Sequence, residues 1–84
     1  MEIAANRVVI ERVKGLLMFV YGVDADTAYE LLRLRARSIR ASLRDMSEQL
    51  VADFGALSAD ERSDLQSACD RLLITVHERL SKAT

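Results

Sequence analysis

The sequence is poor in the residues that interrupt helices and in those that build covalent frameworks. It contains no proline, three glycines and a single cysteine, Cys69, in 84 residues. Without proline, and with 50% hydrophobic and 30% charged residues, the composition indicates an ordered, all-helical globular protein. The lone cysteine excludes an internal disulfide framework and suits a reducing compartment. A chain of this length has room for one domain only.

Long apolar runs and catalytic patterns are missing as well. No segment approaches the roughly 20 consecutive apolar residues of a membrane-spanning helix, and the first residues lack the apolar segment of a signal peptide. Cys69 and His77, the only residues of their kinds, are too few for a zinc site. Neither a glycine-rich phosphate loop nor a catalytic Ser/His/Asp or Cys/His set is found. We therefore expect a cytoplasmic protein with no membrane contact, no cofactor, no metal and no enzymatic activity.

Hydrophobic spacing predicts a long first helix over residues 2–20 and a second helix over residues 25–40. The first has coiled-coil character, because apolar residues recur every seven positions: Ile3, Ile10 and Leu17. Gly22 suits the left-handed position after a helix, and Asp24 suits an N-cap at the start of the next one. No strand-like alternation and no internal repeat is found.

The C-terminal half predicts two more helices. Ser42 is a candidate N-cap for a third helix, and Ser58 with Glu61 forms a capping box that opens a fourth helix over residues 59–82. The fourth helix has an apolar side that includes Leu65, Leu72 and Val76. At 1.5 Å per residue it would extend roughly 36 Å, which is more than the third helix can cover. This excess, together with the heptad-like first helix, favours a homodimer.

Charge is unevenly divided between the two halves of the chain. Residues 1–44 contain 8 lysine and arginine residues against 5 acidic ones, a net charge of +3, whereas residues 45–84 contain 4 against 8, a net charge of −4. Four arginines in the basic half have spacings of four, three and four, which place them along one line if the helix continues: Arg33, Arg37, Arg40 and Arg44. The C-terminal half of a helix favours cations, but so many arginines indicate an anionic partner. Ordinary uneven solvation is the alternative.

Nucleic acid is the most obvious anionic partner, because arginine binds phosphate in a fork and stacks on unpaired bases. Only four aromatic residues are available for stacking, and the absence of strand patterns excludes a sheet-based RNA-binding platform. A pair of basic helices also resembles a helix-turn-helix DNA reader. The spacing of the charges therefore does not choose between DNA and RNA.

A specific motif extends over the predicted helices. It begins with the hexapeptide Val13-Lys14-Gly15-Leu16-Leu17-Met18 and continues in register with Gly22-Val23-Asp24, Ala28-Tyr29 and Leu32-Arg33, then Ala36, Leu43 and Met46-Ser47. With this motif the chain resembles the ANTAR domain, the RNA-binding module of bacterial transcription antitermination regulators, without gaps over residues 7–54. The resemblance implies an all-α fold, a three-helix ANTAR bundle with a long first helix of coiled-coil character, here with an additional C-terminal helix.

The resemblance also implies a function. ANTAR proteins dimerise and bind paired RNA hairpins by their terminal loops, which favours an antiterminator over a terminator, so that transcription continues. We expect RNA contacts from one set of residues: Arg7, Lys14, Arg33, Arg37, Arg40 and Arg44. We expect dimer or packing contacts from a second set: Ile3, Ile10, Gly15, Leu17, Leu65, Leu72 and Val76. Gly15 would let another helix approach closely, and Lys14 would emerge beside the arginines; an ion pair with Glu11 is the alternative role for Lys14.

Four positions depart from the family pattern. Val13 replaces a small alanine, Ala36 a frequent serine, Arg40 a usual asparagine and Ser47 a usual alanine. Positions 36 and 40 fall where we expect RNA contacts, and exchanging an asparagine for arginine trades recognition of a base for charge. A second hypothesis is therefore a protein-interaction or dimerisation module whose RNA contacts are altered or lost.

Family members usually carry a sensor domain ahead of this module. We expect a stand-alone form here, with an ANTAR-like RNA-binding domain over residues 1–57 and a C-terminal helical extension over residues 58–84. Either the protein binds RNA constitutively, or a separate sensor or regulator protein supplies the signal.

Overall fold

Five helices make up the part of the chain that the structure, a computed structural model, describes: the backbone of residues 2–82 and the side chains of residues 7–80. They are α1 (Glu2–Tyr21), α2 (Ala25–Ser38), α3 (Leu43–Gly55), α4 (Ala59–Arg62) and α5 (Leu65–Lys82). No strand is present between residues 2 and 82, and the protein is all-α, as the sequence predicts. The side chain of Ile3, a member of the predicted heptad face, lies outside the described residues.

Three helices begin at the N-caps that the sequence predicts. The side chains of Asp24, Ser42 and Ser58 each accept a hydrogen bond from the backbone N–H three residues further on, at 2.8, 2.9 and 3.1 Å. Glu61 completes the capping box by accepting from the Ser58 N–H at 2.8 Å. Gly22 has a φ of 66°, in the left-handed region, just after α1 ends. The capping bonds satisfy amides that a helix start leaves free, so these starts are determined locally.

The second helix is two residues shorter than predicted. It ends at Ser38, and Arg40 has a φ of 58°. The Ala41 N–H donates to the Ala36 carbonyl at 3.0 Å, and the Arg40 N–H donates to the Arg37 carbonyl at 3.2 Å. This pair of bonds is a Schellman motif, which turns the chain out of the helix. The prediction that the helix continues through Arg40 is therefore wrong.

The predicted fourth helix is divided into α4 and α5. α4 ends at Arg62, and the Ser63 hydroxyl donates to the Asp60 carbonyl at 2.6 Å. Asp64 then accepts from the N–H and the hydroxyl of Ser67, at 3.2 and 2.9 Å, and so caps α5. Serine and aspartate side chains compete with the helix for backbone hydrogen bonds, which explains the interruption. α5 has 18 residues and extends roughly 27 Å, less than the single long helix would.

The core is shared by four helices: α1 contacts α2, α3 and α5, and α3 also contacts α2 and α5. Side chains with no exposed surface come from each of the four: Val13, Leu17, Ala28, Leu32, Met46, Leu50, Cys69 and Val76. Leu72 is buried and Leu65 half-buried. α5 thus covers its apolar side within its own chain, so this face does not demand a partner, contrary to the sequence-based expectation.

Polar contacts fix α5 to the bundle near both of its ends. Arg79 pairs with the Asp53 carboxylate of α3 at 2.6 Å, and Asp53 also accepts from Gln49 at 3.0 Å. The Tyr21 hydroxyl, at the end of α1, donates to the Asp70 carboxylate. Burial, reinforced by this hydrogen bond, raises the pKa of Tyr21. These contacts order α5 against α1 and α3 in addition to the apolar packing.

Candidate nucleic-acid interface

Lys14 lies on the flank of α1, between core and solvent. Its side chain is 19% exposed, and its Nζ donates to Glu11, one turn earlier, at 2.9 Å. Most of the aliphatic stem is therefore covered, while the ammonium group reaches the surface. The structure contains the ion pair that the sequence offered as the alternative role for Lys14, and the charge remains at the surface.

Arg33 lies on the exposed side of α2 and forms a forked ion pair with Glu30. Its Nε and Nη2 donate to the two carboxylate oxygens at 2.7 and 3.0 Å. These hydrogen bonds lower the pKa of Glu30 and raise the pKa of Arg33. Both side chains are about half exposed, so water screens the pair and a phosphate group can replace the carboxylate.

The other four predicted RNA-binding cations differ in whether they form an ion pair with a carboxylate. Arg44 pairs with the adjacent Asp45 at 3.2 Å. Arg7, Arg37 and Arg40 are exposed and form no ion pair with any residue between 7 and 80. Half of the predicted cations are thus already paired, and the other half have no carboxylate partner among the side chains that the structure describes.

Arg35, which lies off the line of the other arginines, bridges α2 to α5. Its Nε donates to the Leu73 carbonyl at 2.9 Å, and its Nη2 donates to the Ile74 carbonyl at 2.8 Å. The same Nη2 lies 3.4 Å from Nδ1 of His77. Arg35 therefore connects α2 to α5, and its guanidinium is not a free cation of the candidate interface.

The four regularly spaced arginines do not form one line. Arg33 and Arg37 are one turn apart on α2, but the helix ends at Ser38, so Arg40 lies in the following turn and Arg44 in the first turn of α3. The expectation of a continuous stripe is wrong because the Schellman motif redirects the chain. The basic side chains are instead distributed over α1, α2, the α2–α3 turn and α3.

Gly15 does not meet another helix within the described chain. A Cβ atom added there would have no neighbour within 4 Å, and the residue is exposed. The close helix approach predicted for Gly15 is therefore not made inside the chain. Two other α1 residues of the predicted packing set do face the interior: Leu17 is fully buried and Ile10 is half-buried.

An open groove of about 720 Å³ lies between the α2–α3 turn, α3 and α5. Its polar lining includes Arg40, Asp45, Glu48 and His77, and neither Lys14 nor Arg33 borders it. Because charges of both signs line the groove, it does not extend the cationic surface.

The family model of the ANTAR domain matches residues 2–51, more than half of the chain. The chain belongs to the ANTAR family. ANTAR domains are RNA-binding modules of transcription antitermination, and their role is regulatory. Comparison with curated proteins and with solved structures finds no match. Between residues 2 and 82, none of the helices is both long and apolar enough to cross a membrane.

Three of the four departures from the ANTAR pattern are core positions. Val13 has no exposed surface and Ala36 is only 4% exposed. Ala36 therefore cannot contact RNA directly, and its assignment to the RNA-facing region is wrong. Ser47, where the ANTAR pattern has alanine, is also fully buried, and its hydroxyl has no hydrogen-bond partner among the described residues.

The residue at position 40 has an unusual backbone conformation. Arg40 adopts the left-handed conformation at the residue that follows the end of an ANTAR helix, where glycine and asparagine are favoured. The asparagine that is usual at this position in the ANTAR pattern also suits a left-handed backbone. The arginine here keeps the turn and adds an exposed charge.

Glu30 is the residue of the candidate site that sequence reasoning missed. Its spacing of three from Arg33 places the two side chains on neighbouring positions of a helix surface, and this is the signal that predicts the pair.

α4 and α5 lie beyond the segment that matches the ANTAR model, so the contacts of Arg35 with α5 have no counterpart in the family motif.

Proposed function

We propose that this protein binds RNA hairpins by their terminal loops and, as a dimer, favours read-through of a transcription terminator. The observation that carries the proposal concerns Lys14 and Arg33, the two cations of the ANTAR motif. They extend to solvent from α1 and α2, two helices that pack against each other around one core. Arg7 and Arg40, which form no ion pair among the described side chains of residues 7–80, add positive charge in the same basic half of the chain.

The chemistry of these side chains suits an unpaired loop. The guanidinium of Arg33 can exchange its carboxylate fork for a phosphate or for a base edge. Tyr29 is 40% exposed and lies four residues before Arg33 on α2, so its ring is on the same side of the helix. An aromatic ring beside a guanidinium offers an unpaired base both a stacking surface and a hydrogen-bond donor.

A fluorescence-anisotropy titration tests the proposal. The RNA carries two adjacent hairpins with small loops, and a second RNA has the loop sequences scrambled. We expect tight binding to the first RNA, weaker binding to the scrambled one, and loss of both affinity and loop preference in the Lys14→Ala, Arg33→Ala double variant. Arg62→Ala, which removes an exposed arginine from the acidic half, is the matched control and should leave binding unchanged.

Salt dependence adds a second readout. Binding through phosphates weakens linearly with the logarithm of salt concentration, with a slope of about −0.7 per phosphate contact on a single strand. The double variant should therefore have a shallower slope than the wild type. Affinity that ignores the loop, or no binding at all, rejects the proposal. The second hypothesis, a protein-interaction module, then gains support from exposed apolar side chains such as Phe19, which is 78% exposed.

A further inference from the structure

The seam between α2 and α5 has an apolar surface that RNA binding does not use. Leu31 and Leu34 of α2 are 43% and 50% exposed, and Ile74 of α5 is 64% exposed. Arg35 joins the two helices beside them, since its Nη2 donates to the carbonyl of Ile74. By helical spacing, Leu31 and Leu34 lie on the outward side of Arg35. Large aliphatic side chains that are exposed together mark an interaction surface.

The contacts between α2 and α5 give the relative direction of the two helices. Arg35 of α2 contacts the carbonyls of residues 73 and 74 and lies 3.4 Å from His77. Ile39, just after α2 ends, borders the same groove as Leu80, near the end of α5. α2 and α5 therefore run in the same direction here, and residues that differ by about 40 in number lie at similar heights along the seam.

Charged residues flank the apolar surface on α2 and on α5. The acidic residue comes first along α2, whereas the basic residue comes first along α5. On α2, Glu30 precedes Arg37 by seven residues; on α5, Arg71 precedes Glu78 by seven residues. Each pair lies on the outward side of its helix, and all four side chains are exposed. Arg37 and Glu78 form no ion pair and no side-chain hydrogen bond within residues 7–80. Glu30 and Arg71 already form ion pairs with Arg33 and Glu61. The surface is still complementary in charge to itself, because Arg37 of one copy can pair with Glu78 of another, and the reverse.

We propose that this face binds a second copy of the chain, related by a twofold axis parallel to the seam. Such an axis places α2 of each copy opposite α5 of the other, and every contact occurs twice. Leu34 of one copy then packs on Ile74 of the other copy, and Arg37 pairs with Glu78. The apolar side chains form the centre of the contact and the ion pairs its rim, as in ordinary protein interfaces.

This contact rests on the proposed function only in the expectation that a dimer reads paired hairpins. It uses α5, which lies outside the ANTAR match, and it makes no use of Lys14 or Arg33. It also assigns Arg37 to the dimer contact, in place of the predicted RNA contact. The predicted heptad face of α1 is not used, because Leu17 is already buried inside the chain.

Sedimentation equilibrium of the full chain without RNA tests the proposal by charge reversal. We expect the wild type to approach twice the monomer mass of 9.4 kDa as concentration rises. Arg37→Glu and Glu78→Arg should each raise the dissociation constant by at least about tenfold, because each creates two like-charge contacts. The double variant Arg37→Glu, Glu78→Arg should recover most of the wild-type association. Arg12→Glu, a reversal at an exposed arginine of α1, is the matched control and should behave as the wild type.

A protein that stays monomeric at every concentration overturns the proposal, as does a double variant that fails to recover while its circular dichroism is native. Dissociation by Arg12→Glu also overturns it and assigns the contact to α1. Because sedimentation needs no RNA, a chain that dimerises in this way and binds no hairpin contradicts the proposed function and leaves the dimer contact standing.

Discussion

The Asp53 carboxylate accepts a hydrogen bond at 2.8 Å from Nε of Arg79, which reaches it from α5, and Nη2 of the same guanidinium lies 2.6 Å from it; only 9% of the Asp53 side chain is exposed. The same guanidinium donates to the Thr75 hydroxyl and the Leu72 carbonyl, at 2.7 and 2.9 Å. A charge enclosed in this way depends on its partner, because water cannot replace the lost bonds fully.

Asp53→Asn should therefore destabilise the fold. The variant leaves the Arg79 charge partly buried without its counterion, and we expect the free energy of unfolding to fall by about 2 kcal/mol. Urea denaturation followed by circular dichroism measures the change. Asp60→Asn, at an exposed position of α4, is the control and should have a much smaller effect. Equal effects of the two substitutions would show that the α3–α5 ion pair is not a major contribution.

Arg40→Gly should stabilise the protein. Glycine removes the cost of a side chain in the left-handed conformation, and we expect a gain of about 1 kcal/mol in the free energy of unfolding. Arg37→Gly, which removes the same side chain from within α2, should lower stability because glycine is a poor helix former. If both variants lose stability in urea, the turn at position 40 is not strained by arginine.

Ser47→Ala should also stabilise the protein, by about 1 kcal/mol, because it removes a buried hydroxyl that has no hydrogen-bond partner in the part of the chain that the structure describes. Part of any gain comes from the better helix propensity of alanine. Ala52→Ser, at an exposed position of the same helix, measures that part alone with the opposite sign. The difference between the two changes, taken from thermal unfolding, isolates the buried hydroxyl; a difference near zero contradicts its cost.

Stability at alkaline pH should depend on Tyr21. Its pKa in the folded state is raised, first by burial and then by the hydrogen bond to Asp70, so the unfolded chain loses the phenolic proton more readily. The stabilisation is complete below the ordinary tyrosine pKa of about 10 and is lost progressively as the pH rises above it. Tyr21→Phe lacks this ionisation, so its stability should fall less than that of the wild type between pH 9 and pH 11, values near that ordinary pKa. Parallel slopes in that range contradict the prediction.

Glu11→Gln should strengthen RNA binding. The carboxylate of Glu11 competes with phosphate for Lys14, and its removal frees the ammonium group. We expect a few-fold gain in affinity at low salt that shrinks as salt is raised, because the pair is partly exposed. Glu48→Gln removes one exposed carboxylate from α3 and controls for net charge. A gain of the same size in both variants would mean that Lys14 has no special role.

The sequence predicted the features that depend on neighbouring residues. The N-caps at Asp24, Ser42 and Ser58 and the turn at Gly22 follow from short-range hydrogen bonds and backbone conformation, which a few residues determine. The burial of Cys69 likewise agrees with its position among apolar neighbours on the helix.

The errors have physical causes. A helix that stops before an arginine in the left-handed conformation lacks the glycine or asparagine signal, so the end of α2 was placed too late. The role of Arg35 depends on where α5 packs, and that contact joins residues about 40 positions apart. Ala36 was assigned to an RNA-facing region because a motif gives the spacing of residues but not the side of the helix that the core covers.

The place of α5 in the core has a consequence for anyone who moves this module between proteins. Cys69, Leu72 and Val76 fill the interior that α1 and α3 border, although the family match ends at residue 51. A graft that stops at residue 57 would contain every cation of the RNA-binding proposal. It would lack α5, however, and would expose that interior to water. We expect such a graft to fail through collapse or aggregation, and a loss of activity in it says nothing about RNA contacts.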